Sequence, residues 1–290
     1  MQRERITSYD AFRGLLLVGM VIFHIVVNFS NIAFDQNFFY WVPLGFMLFL
    51  GVIIGKFLDG KTKKIIILAL KLLGIFLILN IPNFILKNYT PAQLMIGNNQ
   101  IFSFEILLPM SVLSFLSLGL NKFVKTRKTA LILSIILLAI LTYLYTINIY
   151  SYNLSFIIYG IIGYFLGKNL DIDDISKKIS NKIFPIIIFM SLAPFFIINY
   201  TGILEILIIS QVLAMYFIIA KIFSKNNFLI ILGTHSLSLY VLHIVIIKII
   251  SLFYKTASIP ALIILIPISL FACFIIAKFT QKKELPNISR

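Results

Sequence analysis

Acidic residues are scarce in this chain, with 10 Asp and Glu against 25 Lys and Arg in 290 residues. Charge of either sign is scarce too, at 12% of the sequence. That excludes a water-soluble globule, which needs far more polar sequence to cover its surface. A single cysteine, Cys273, rules out an intramolecular disulfide and leaves the redox compartment unreadable. The three histidines and that cysteine lack metal-ligand spacing, and no Walker or dinucleotide fingerprint is present, so no metal is expected. No fixed-period repeat and no low-complexity tail occurs. The longest polar insertion, around Leu170 to Asn181, reads as a short cytoplasmic loop. A single transmembrane domain is therefore expected over residues 1–290.

What the chain has in quantity is apolar sequence: 60% of residues are hydrophobic, and the mean hydropathy is +1.04. Several apolar runs reach the roughly 20 residues that a bilayer-spanning helix needs. They are continuous and do not alternate strictly, which suits helices and not barrel strands. The fold class is all-α polytopic membrane protein, with about ten transmembrane helices near 11–32, 38–58, 65–86, 99–120, 129–147, 152–168, 183–199, 202–222, 228–254 and 257–279. The basic residues test this independently. With the N-terminus cytoplasmic, every Lys and Arg falls on the inner side except Lys87 and Lys255, outside, and Arg13, Lys71 and Lys248, within spans. Such alternation follows the positive-inside rule and places both termini in the cytoplasm of a multi-pass cell-membrane protein. The net charge of +15 is accounted for by orientation and by attraction to anionic headgroups, without nucleic acid. The same basic inner face helps to collect a phosphate-rich cytosolic cofactor. The first span is not expected to be a cleaved signal peptide, because it is long, carries His24 and lacks a small-residue cleavage site.

Ionisable groups at membrane depth are costly and usually line a cavity or pathway. Arg13 and His24 are separated by 11 residues, which puts them about 20° apart around a helix and about 16 Å apart along it. Asp10, Arg13, Leu17, Met20, His24 and Asn28 thus form one stripe, suited to protein and substrate and not to lipid. His24 and His243 lie about 20 and 22 Å from the inner ends of their spans, and Glu105 about 9 Å below the outer surface. All three share one layer in the outer half of the bilayer. They suit a general-base unit in which the carboxylate orients an imidazole; the alternative is three separate helix-packing hydrogen bonds. In the ninth span Ser236, Tyr240 and His243 share one face, with Gly233 near it. There, too, Ser, Tyr and Gly also serve as helix-packing glue. His235 is expected near the cytoplasmic end, reaching water or a headgroup. Gly160, Gly163 and Gly167 are expected to mark tight helix packing.

Two of these segments carry a family resemblance. Arg5-Ile6-Thr7-Ser8-Tyr9-Asp10-Ala11-Phe12-Arg13-Gly14, followed by Met20 and His24, resembles the Arg-x-x-x-x-Asp-x-x-Arg-Gly signature of the transmembrane acyltransferase superfamily. That group comprises the heparan-α-glucosaminide N-acetyltransferase family with its prokaryotic relatives and the bacterial type-3 acyltransferases. Leu232-Gly233-Thr234-His235-Ser236-Leu237-Ser238-Leu239-Tyr240-Val241-Leu242-His243 is similar to their late Gly-x-x-Ser-Leu-x-x-Tyr-x-x-His helix. Phe102 to Leu107 and Gly160 to Gly167 fit more loosely. The resemblance implies transfer of an acyl group, usually acetyl, from cytosolic acyl-CoA to an acceptor at the outer face. By it, Arg13 helps bind or position the donor and His24 acts as base or relay. The heparan enzyme's catalytic histidine lies in its first lumenal loop, whereas residues Asn31 to Asn37 here contain none. That disfavours amino-sugar acetylation of the heparan type and moves the chemistry to His24, as in the type-3 pattern.

The expected function is therefore a membrane acyltransferase using acyl-CoA, with acetyl-CoA the leading donor. His24, Glu105 and His243 are the catalytic candidates, and Asp10, Arg13, Ser236 and Tyr240 the donor-binding candidates. Its expected partners are the lipid bilayer, acyl-CoA and a glycan or lipid-linked sugar acceptor; a homo-oligomer is compatible with the sequence. The alternative from another class is a transporter or flippase that uses the buried His and Glu groups for substrate binding or proton coupling. A third is a membrane scaffold in which Arg13 and His24 are packing polar groups.

Overall fold

A computed structural model describes residues 6–29, 39–87, 106–123, 126–146, 152–192, 203–253 and 259–284. Helix is the only regular structure among them. In chain order the helices are α1 (Thr7–Phe29), α2 (Trp41–Ile53, extended by a π-helical turn, Ile54–Leu58), α3 (Thr62–Lys87), α4 (Leu107–Phe123), α5 (Arg127–Thr146) and α6 (Tyr152–Asn169). There follow α7 (Ile172–Lys178), α8 (Phe184–Leu192), α9 (Ile203–Ile218, extended by a π-helical turn, Ile219–Phe223), α10 (Asn227–Thr234), α11 (Ser236–Phe253) and α12 (Ile259–Glu284).

Among the described residues, five helical stretches are long and apolar enough to cross a membrane: Thr7–Phe29, Trp41–Leu58, Thr62–Ile81, Arg127–Leu144 and Ile263–Thr280. A sixth arises if the bent pair α10 and α11 counts as one span, and Leu107–Leu120 and Leu207–Phe223 are shorter apolar helices. The distribution of polarity points the same way. Ile85, Phe189 and Phe279 are 65–70% exposed, while Asn80, Gln211 and His243 are at most 2% exposed. Large apolar side chains facing outward over polar ones facing inward suit a lipid solvent, in which polar groups are costly unless they face protein. The chain is a helical protein of integral-membrane type.

Its residues cluster into two compact units: Met1–Val42 with Leu213–Arg290, and Pro43–Val212. In the first, α1 is the central helix. It packs on α10, α11, α12 and the turn Ile219–Phe223. Val21, Ile25 and Phe29 of α1 form a core with Ile247 of α11, lined by Leu265, Ile266 and Leu270 of α12. At the crossing of α1 and α10 the two backbones touch. A Cβ on Gly14 would overlap the Leu229 carbonyl, and one on Gly233 the Asp10 carbonyl. Only glycine permits that approach.

In the second unit α6 lies against α2. Cβ atoms at Gly163 and Gly167 would strike the Leu48 and Val52 carbonyls, so these glycines mark the tight packing expected of them. Tyr164 and Phe165 fill a core with Ile54, Ile65 and Ala130. The polar insertion after α6 is not a plain loop, because it contains α7. Asp171 caps that helix by accepting from the Asp174 amide at 3.1 Å. Asp173 and Asp174 in its first turn pair with Lys177 and Lys178 in its last, at 2.7 and 2.6 Å. Acid at the start and base at the end complement the helix dipole. Lys56 and Lys168 tie this end of α6 to the end of α2 through Asp171 (2.6 Å) and Asp59 (3.3 Å), and the Tyr164 hydroxyl donates to Asp59 at 2.8 Å.

Candidate functional site

The stripe on α1 is buried along its length, with Asp10, Leu17, Met20 and His24 at 7% exposure or less and Arg13 and Asn28 half-buried. Burial alone does not single it out, since Ala11, Phe12, Leu16 and Ile25 on other faces are buried as well. What distinguishes the stripe is its partners. The Arg13 guanidinium Nη2 donates to Ser236 Oγ at 2.6 Å. Two to three turns further along, His24 Nδ1 lies 3.0 Å from His243 Nε2, with the ring centroids 5.1 Å apart. Both pairs join α1 to α11, across sequence separations of 223 and 219 residues.

The face expected on the ninth span is real. Ser236, Tyr240 and His243 are 2%, 5% and 0% exposed, while Ser238, off that face, is exposed. The Tyr240 ring meets His243 edge-on at 5.6 Å. His243 Nδ1 lies 3.0 Å from the Leu239 carbonyl one turn back, which fixes the ring against its own helix. On the α1 side, Asn28 Nδ2 donates to the His24 carbonyl at 2.7 Å, and the Phe23 ring flanks the imidazole at 5.3 Å.

Asp10 forms an ion pair with Arg13 at 3.7 Å on the same helix. Nearby, the Ser8 hydroxyl is 3.2 Å from the Tyr216 hydroxyl, and Tyr9 and Phe12 pack on the Tyr216 ring. Tyr216 was not expected in this neighbourhood from the sequence, which gives no signal beyond an aromatic in an apolar run. Glu105, the third member of the expected layer, falls outside the described residues.

The ninth span does not run straight: α10 and α11 meet at His235 with a bend of 86°. His235 has φ −103° and ψ 17°, and the Thr234 hydroxyl folds back onto the Ile230 carbonyl at 2.7 Å. Back-bonding of this kind bends helices. The run Gly233-Thr234-His235-Ser236, four weak helix formers in succession, is the sequence signal for the break. Two consequences follow. His235 is half-buried at the bend, and its Nε2 is buried without a hydrogen-bond partner among the described residues. And α11 begins at Ser236, so its N-terminus, with its partial positive charge, lies where Arg13 donates.

An apolar groove of about 550 Å³, lined by Phe228, Pro267, Ile268, Leu270 and Phe271, lies between α10 and α12 and includes no residue of the stripe. Among the described residues no group of three or more His, Cys, Asp or Glu side chains is placed to hold a metal ion. The chain matches no protein-family model, no curated protein and no solved structure.

Proposed function

We propose that this protein is a membrane acyltransferase. It moves an acyl group, with acetyl the leading case, from cytosolic acyl-CoA to a glycan or lipid-linked sugar at the outer face. The observation that carries the reading is the seam between α1 and α11. The two segments that resemble the superfamily signatures pack on each other and pair signature residue with signature residue, Arg13 with Ser236 and His24 with His243. The proposed topology is ten spans with both termini cytoplasmic. Its supports are the distribution of Lys and Arg and the candidate spans among the described residues.

The two ends of the seam suit two tasks. A guanidinium beside a helix N-terminus brings positive charge to partial positive charge, of which Asp10 offsets part. Such a site suits an anion, and the phosphates of CoA are the anion the reading supplies. At the other end, an imidazole is the side chain best suited to reversible proton transfer near neutrality, so His24 deprotonates the acceptor for attack on the thioester.

One observation favours the alternative, a transporter or flippase. Broken helices with paired ionisable groups are a transporter device, and α10 and α11 form a broken span beside Arg13.

The test is a labelled acetyl-transfer assay in proteoliposomes, scored beside CoA binding and beside flux of the unmodified acceptor. His24→Ala is expected to lower transfer by about 10²–10⁴-fold, the usual contribution of a general base, with CoA binding retained. Full turnover by His24→Ala removes the base assignment. Acceptor flux without acetyl-CoA moves the reading to transport.

A further inference from the structure

One backbone carbonyl settles which nitrogens of the histidine pair carry hydrogen. The Leu239 oxygen can only accept, so His243 Nδ1, 3.0 Å from it, bears hydrogen and donates. With both rings neutral, His243 Nε2 then holds a lone pair and accepts. His24 Nδ1, 3.0 Å away, is therefore the donor. The hydrogen of neutral His24 is on Nδ1, and its ring lone pair is at Nε2. His243 is suited to impose this choice. It is fully buried, tied to the preceding turn of α11 and flanked by the Tyr240 ring.

We propose that His243 is a positioning residue. It holds His24 as the Nδ1–H tautomer, so that His24 Nε2 is the atom that takes the acceptor's proton. This rests on the acyl-transfer reading. In the step, the acceptor O–H or N–H proton passes to His24 Nε2 and the freed electron pair forms a bond to the acyl carbon. The carbon–sulfur bond breaks, and the CoA thiolate takes the proton back from Nε2 and leaves as thiol. Throughout, His24 Nδ1–H stays donated to His243, which holds the imidazolium in place without exchanging a proton with it. An orienting acceptor on the far nitrogen is how catalytic histidines are commonly held in the right tautomer.

The chain has only 3 histidines, so ¹⁵N imidazole spectra of the full-length protein in nanodiscs are assignable with one variant each. His24 and His243 are both expected to carry hydrogen on Nδ1 and none on Nε2; hydrogen on Nε2 of either neutral ring overturns the proposal. His243→Gln sets an amide oxygen near the former Nε2 position. It is expected to keep the His24 Nδ1–H signal and to transfer acetyl within about threefold of the parent, since a general acid–base group itself contributes about 10²-fold or more. His243→Leu, which removes the acceptor, is expected to lose that signal and to lower kcat by about 10²-fold with the KM for acetyl-CoA unchanged. A glutamine variant as inactive as the leucine one overturns the positioning role. The spectra read the tautomer whether or not acetyl is transferred. Correct tautomers with no transfer therefore sink the acyl-transfer reading, and transfer with the other tautomer sinks this proposal by itself.

Discussion

Arg13 is a half-buried cation whose partners include a carboxylate 3.7 Å away on its own helix and a serine hydroxyl 2.6 Å away at the start of α11. The guanidinium's planar fork matches phosphate geometry. Acetyl-CoA at millimolar concentration is expected to raise the melting temperature of the purified protein, because a ligand bound by the native state alone stabilises it by mass action. Arg13→Ala should lose most of that rise. Arg13→Lys should keep part of it, as a point charge without the planar fork. Differential scanning fluorimetry in detergent reads both, and an unshifted parent protein would remove the donor assignment. At this scale much was legible from sequence. The helical spacing that grouped Asp10, Arg13 and His24, and the spacing that grouped Ser236, Tyr240 and His243, describe the two faces that meet through Arg13–Ser236 and His24–His243. That His24 and His243 come together was expected from their matched depth alone; the individual contacts were not legible, because nothing local in either segment encodes a partner 219 residues away.

Elements were legible where hydrophobic length decided the matter and illegible where a few polar residues did. The long apolar runs gave α1, α2, α3, α5 and α12. The break at His235 was hidden, since an apolar average smooths over Gly233-Thr234-His235-Ser236. The short helix α7 was hidden inside a segment that composition reads only as polar, although its capping aspartate and ordered charges are helix signals. That cap is open to test by pH. Hydrogen bonding from Lys56, foremost, holds the Asp171 carboxyl below its ordinary value of 3.8. A carboxyl depressed in the folded state adds stability that is complete above the unfolded value and disappears as pH falls through the folded one. Asp171→Asn is therefore expected to melt below the parent near neutral pH and to converge on it below about pH 4, by about 0.2–1 kcal/mol at most for so exposed a pair. Thermal melts across that range check it, and a pH-independent gap would show that the ion pair contributes nothing. The crossing of α1 and α10 offers a steric counterpart. Gly233→Ala should cost about 1–3 kcal/mol, as overpacking does. Gly74→Ala in α3, where a new Cβ meets nothing within 4 Å, should be neutral or slightly stabilising.

Over the whole molecule, topology is the property that the proposed direction of transfer depends on. Cys273 is the only cysteine and is fully buried, so Cys273→Ser gives a background free of thiols. Single cysteines introduced at Thr62, Thr126 and Asn181 are expected to react with a membrane-impermeant maleimide only from the cytoplasmic side. One introduced at Asn88 should react only from the outside. Inverted labelling at any of these four sites would break the ten-span alternation. The make-up of the first unit has a further consequence, for synthesis. That unit is assembled from the first 42 residues and from Leu213 onward, with Pro43–Val212 between them in the chain. A ribosome adds about 5–20 residues each second, so the 219 residues between His24 and His243 take about 10–40 s to make. For that interval α1 has left the ribosome with Asp10, Arg13 and His24 aboard, before either of its partners in α11 exists. A nascent helix with that load is a poor guest in lipid. Something must shelter it until the last quarter of the protein arrives, whether the insertion machinery or the middle helices, and a delay there would be felt first as degradation of the newborn chain and only second as lost activity.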